Sequence, residues 1–148
     1  MKLFSLNIVA AIVLFSGCAS FQNIQWSDAT IIAGVSFGTT EGLKLAIKDS
    51  AKRTAIANYI NTYAKGLRSI STAPTPDALL AEITEYVPAN IKQAYPELQS
   101  IVFPVVSSIY GQAYQKFGSD HAKIYQVLSD IASGLETGSL PYVTHSEQ

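Results

Sequence analysis

Few residues in this sequence could carry chemistry, and their spacing decides most of what they can do. There are two histidines, His121 and His145, and one cysteine, Cys18. A metal centre draws several His, Cys or carboxylate ligands together. Here one histidine stands at the start of an expected helix and the other in the C-terminal tail, so neither a metal nor a cofactor is expected. His121 reads as a surface residue. Nucleophilic catalysis needs a serine or cysteine within reach of a base that a third group orients. Neither histidine has a context that names such a partner, and no nucleophile elbow is expected. Glu82 and Glu85 fall on one side of a helix and could pair as general acid and base, but acids at that spacing also form the ordinary wet face of an amphipathic helix. Gly34-x-x-x-Gly38 is not followed by the Lys-Ser/Thr of a phosphate loop. The expectation from these residues is a chain that is not an enzyme.

The one cysteine lies at the end of an organised N-terminal segment. Met1-Lys2 is followed by an apolar run, Leu3 to Phe15, broken only by Ser5 and Asn7, and then by Leu14-Phe15-Ser16-Gly17-Cys18. A charged start, an apolar middle and a small-residue cleavage site describe an export signal. The run is too short to span a bilayer, which takes roughly 20 apolar residues. Leu14 to Cys18 resembles the lipobox of bacterial lipoproteins: an apolar residue, a tolerated apolar residue, a small residue, Gly and Cys. That resemblance covers residues 1–18 only. It implies that residues 1–17 are a signal peptide, that Cys18 becomes the first residue, and that Cys18 takes a diacylglycerol and acyl chains such as palmitate. The partner so implied is a membrane, and Ala19 after the cysteine resembles the choice of lipoproteins sent to the outer membrane of a two-membrane host. The alternative is an ordinary secretory signal cut after Ala19.

The elements beyond Cys18 are expected to be helical throughout. Residues 18–26 form the lipidated N-terminus and a short tether, whose eight residues after the cysteine span at most about 26 Å. Phe21, Ile24 and Trp26 in the tether either meet the lipid interface or pack back on the domain. Ser27 or Asp28 can cap a first helix to about Ile47. A second, Ser50 to Ile70, has the stripe Ile56, Tyr59, Ile60, Tyr63, Leu67 and Ile70; its tyrosines read as core. Thr75-Pro76 opens a third with Leu79, Leu80, Ile83, Tyr86 and Val87, and a short turn with Ile91 and Ala94 leads to Tyr95-Pro96. From Pro96 to Phe117 helix competes with strand at Ile101–Val106. Helical spacing of Leu98, Ile101, Val102, Val105 and Ile109 favours helix, central in the fold and kinked at Pro104, which removes its hydrogen bond to the carbonyl of Ser100. The last helix, capped by Ser119 or Asp120, carries Ile124, Val127, Leu128, Ile131 and Leu135 and closes at Gly138. The fold class expected is all-α, a compact bundle of about five helices over 27–138. Residues 139–148 are read as a tail that docks through Leu140, Tyr142 and Val143.

Two further patterns bear on partners. Gly34, Gly38 and Gly42 recur every fourth residue on the first helix, a spacing that marks close helix packing; a neighbouring helix of the same domain, self-association and membrane insertion are the possible partners. Charge is segregated. Residues 41–68 hold six basic and two acidic side chains, and residues 69–148 hold three basic and eight acidic. The basic half either faces anionic headgroups or is a solvated surface. Near-balanced overall charge argues against nucleic acid, which wants a basic face. The function expected is a membrane-anchored binding or structural module with a protein partner at the cell envelope. The alternative is an enzyme acting on envelope polymers or lipids through dispersed carboxylates.

Overall fold

A computed structural model of the chain describes residues 26–143. The signal segment 1–17, Cys18, the tether up to residue 25 and the tail from residue 144, with His145, lie outside the described residues. Six α-helices follow one another: α1 Asp28–Ala46, α2 Ser50–Ser69, α3 Pro76–Thr84, α4 Ala89–Ala94, α5 Pro96–Phe117 and α6 His121–Ser139. A 3₁₀ turn, Leu140–Tyr142, ends the fold. The all-α bundle is as expected, with α4 in the place of the short turn. Among the described residues no helix is long and apolar enough to cross a membrane.

Short side chains set the starts of the helices. Ser27 caps α1 by accepting from the amide of Thr30, Asp49 caps α2 through Lys52, Thr75 caps α3 through Ala78, and Asp120 caps α6 through Lys123. Each fills one of the donors that a helix start leaves unpaired. Prolines stand in the first turns of α3 and α5, where no amide hydrogen is needed. Pro104 sits inside α5. An interior proline costs about 3 kcal/mol. Burying one large apolar side chain returns about 1.5–3 kcal/mol, and Ile101, Val102, Val106 and Ile109 are all buried beside it. Burial therefore outweighs both the proline and the β-branched preference for strand. The buried stripe runs through Val106, and Val105 is only half-buried.

Contacts across the bundle fix the directions. Asp28 meets Gln126, and Thr40 meets Gly138, each pair 98 residues apart, so α1 and α6 run parallel in constant register. α2 runs against α6, because Arg68 pairs with Glu136 while Asn61 accepts from Ser139. Helix α5 touches every other helix, as expected of a central element. The closest packing, however, is between α1 and α6, and glycines explain it. A Cβ added to Gly134 would lie 2.5 Å from Val35 Cβ, and one added to Gly138 would strike the carbonyl oxygen of Ser36. Only residues without a Cβ allow the two backbones this near.

Gly138 therefore does not close the last helix, as had been expected. Helix α6 continues through Ser139, which is buried, because the glycine is a packing contact and not a stop. Of the tail residues, Tyr142 and Val143 pack against the core, but Leu140 points outward. The Arg53 guanidinium lies 5.2 Å from the Tyr142 ring centroid and donates through Nε to the carbonyl of Ile47 at 2.9 Å. One cation thus serves both the C-terminal end of α1 and the docking of the final turn.

Candidate functional site

The residues with catalytic potential are not brought together. Glu82 is exposed near the end of α3, and Glu85 is the exposed C-cap of that helix. The Tyr86 hydroxyl donates to Glu82 at 3.3 Å. His121 begins α6 and is exposed. Among the described residues no three His, Cys, Asp or Glu side chains cluster as metal ligands would. The Gly-x-Ser-x-Gly spacing does occur, at Gly34-Val35-Ser36-Phe37-Gly38, but it makes no elbow. It lies within α1, whereas an elbow needs a sharp strand-to-helix turn that lifts the serine out. Ser36 is instead half-buried at the α1–α6 contact.

The three glycines of α1 have unlike surroundings. A Cβ on Gly42 would lie 3.2 Å from Ile101 Cγ2, so this end packs closely on α5. Gly38 is half-buried. Around a Cβ on Gly34 no described atom lies within 4 Å. The face near Gly34 is turned away from the core, and it presents Phe37 at 65% exposure and Leu45 at 47%. Ala33 and Lys44 are exposed on the same side. The opposite face of this helix is buried at Ile31, Val35, Thr39 and Leu43.

A second feature lies at the start of α1 and was not foreseen. Asp130, on α6, is only 3% exposed. Its Oδ1 accepts from Gln126 Nε2 at 3.0 Å, and the same amide lies 3.4 Å from Asp28 Oδ2. Asp130 Oδ2 is buried without a hydrogen-bond partner. Burial pushes the Asp130 carboxyl above its ordinary value; the Gln126 amide opposes this, and the nearby Asp28 adds to it. Sequence spacing offered little signal here, because an aspartate four residues after a glutamine looks like a wet helix face.

Part of the charge segregation is consumed inside the fold. Lys52 Nζ meets Glu97 Oε1 at 2.7 Å, Arg68 pairs with Glu136, and Arg53 is held by the end of α1. The two ion pairs join the basic segment to the acidic one. At the end of the bundle where the tether arrives, Trp26 packs edge-on against Phe117, 5.9 Å between centroids, so this tether ring folds onto the domain. Compared with known proteins, the chain matches no family model, no curated protein and no solved structure.

Proposed function

We propose that this protein is a lipid-anchored module of the bacterial cell envelope, which acts by contact with a membrane-associated protein partner and not by turnover. The observation behind the reading is the sequence Leu14-Phe15-Ser16-Gly17-Cys18, whose cysteine is the only one in the chain. Acylated at Cys18, the domain would be held within about 26 Å of its bilayer. In a host with two membranes the anchor would be the outer one, with the domain facing the periplasm.

The exposed strip of α1 with Phe37 and Leu45 supports a binding role, since it offers apolar surface that the domain itself does not cover. The dispersed placement of Glu82, Glu85 and His121 gives the enzyme alternative no assembled site among the described residues. Fractionation of cells expressing Cys18→Ala tests the reading. The variant should leave the membrane fraction while keeping its helical circular dichroism, because single aromatic contacts do not replace acyl chains at about 0.8 kcal/mol per buried CH₂. Retention of the variant after a salt wash would remove lipid as the main anchor.

A further inference from the structure

We infer that the corner formed by Trp26, Phe117, Lys116 and Lys123 is the surface on which the domain rests against the phospholipid headgroups of its own membrane. The inference rests on the lipid-anchor reading and adds an orientation to it. Trp26 is the eighth residue after Cys18, so its distance from the anchor cannot exceed about 26 Å. Its edge-on contact with Phe117 at 5.9 Å fixes where the chain leaves the bundle, at the end where α5 stops and α6 starts. That end is the part of the domain the anchor holds nearest the bilayer.

The side chains there suit a water–lipid boundary. Trp26 and Phe117 are both half-buried and keep part of their rings outward. Above the Phe117 ring stand two ammonium groups, Lys116 Nζ 5.5 Å and Lys123 Nζ 5.0 Å from its centroid. Tryptophan rings settle at headgroup level, and lysine stems lie along apolar surface while their charge stays in the polar layer. Among the described residues, Lys116 has no carboxylate within ion-pairing distance, whereas Lys123 lies 3.8 Å from Asp120 Oδ2. Asp120 is already engaged in capping α6 through Oδ1, and it limits the local net charge. The contact is therefore short-ranged, made by ring and phosphate together, with Lys116 the main cation.

Trp26 is the only tryptophan, so its fluorescence reports on this corner without added label. The mature acylated protein is reconstituted into phosphatidylethanolamine–phosphatidylglycerol vesicles containing phosphatidylcholine brominated near the headgroup end of its acyl chain. Trp26 should be quenched by the brominated lipid and shielded from aqueous iodide. Lys116 adds about fivefold to the seated-to-lifted ratio and Lys123, beside Asp120, adds less, so Lys116→Glu combined with Lys123→Glu should reduce quenching while the acyl anchor still holds the protein on the vesicles. An acylated, vesicle-bound protein whose Trp26 is unquenched by brominated lipid and open to iodide overturns the seat and leaves the anchor standing. Protein from the native host whose Cys18 carries no acyl chains, and which stays in the aqueous phase, overturns both.

Discussion

The hydroxyl of Thr40 donates to the carbonyl of Gly138 at 2.8 Å, and Gly138 leaves no room for a Cβ against the backbone of Ser36. At this point the backbones of α1 and α6 approach closely and a side-chain-to-backbone bond ties them, and the orientation of the exposed strip of α1 depends on it.

Gly138→Leu should therefore be among the most damaging single changes in the domain. A large side chain must push α1 off α6, and overpacking of this kind costs about 1–3 kcal/mol or more. Gly34→Ala should do the reverse, since no described atom lies near its Cβ and alanine gains up to about 1 kcal/mol in a helix interior. Thermal melts of the two variants in detergent should bracket the wild type. A melting temperature of Gly138→Leu equal to wild type would mean that the α1–α6 packing is wrong.

Asp130 should give the domain a pH-dependent stability. Its folded value is raised, so the folded state keeps this proton to higher pH than the unfolded chain does. The contribution is complete below the unfolded carboxylate value of about 3.9 and is lost as pH rises through the raised folded value. Asp130→Asn should thus raise the melting temperature at pH 7, change it little near pH 4, and flatten the slope between. Identical slopes in the two proteins would assign the pH dependence elsewhere.

Tyr110→Phe should loosen the Ser71–Thr75 loop without unfolding the helices. The Tyr110 hydroxyl donates to the Pro74 carbonyl at 2.7 Å. Burial, together with Tyr114, Tyr125 and Glu82, pushes it up to about 12, so the hydroxyl remains a donor through neutral pH. Losing the bond should cost about 0.5–1.5 kcal/mol. Amide hydrogen exchange should quicken in this loop, and an unchanged loop would show that the bond does not hold it.

The helix boundaries were legible because prolines and capping residues mark them locally: Ser27, Thr75-Pro76 and Pro96 all stand where helices begin. The long-range partners were not. Gly134 and Gly138 give α6 a second buried face without adding apolar bulk, so periodicity shows only the stripe from Ile124 to Leu135. The same glycine spacing recurs on α1, although around a Cβ on Gly34 no described atom lies within 4 Å. Lys52 with Glu97 and Arg68 with Glu136 join residues far apart in sequence, and their segments read as a charge asymmetry instead of as pairs. Asp130 was invisible because burial of a carboxylate is decided by the neighbouring helix.

A variant with Glu82, Glu85 and His121 all replaced should retain biological activity. All three are exposed, and exposed substitutions usually shift stability by less than about 0.5 kcal/mol each, so loss of fold should not intervene. Phenotype in cells, at matched expression, is the readout. A folded, membrane-bound and inactive triple variant would favour the enzyme alternative.

Intact mass spectrometry of the protein purified from cell membranes addresses the central claim most directly. The lipid-anchored reading predicts a chain that begins at Cys18 and carries the added mass of a diacylglyceryl group and acyl chains on that residue. A chain with an unmodified thiol at Cys18, or one cut after Ala19 so that the cysteine is gone, would contradict it.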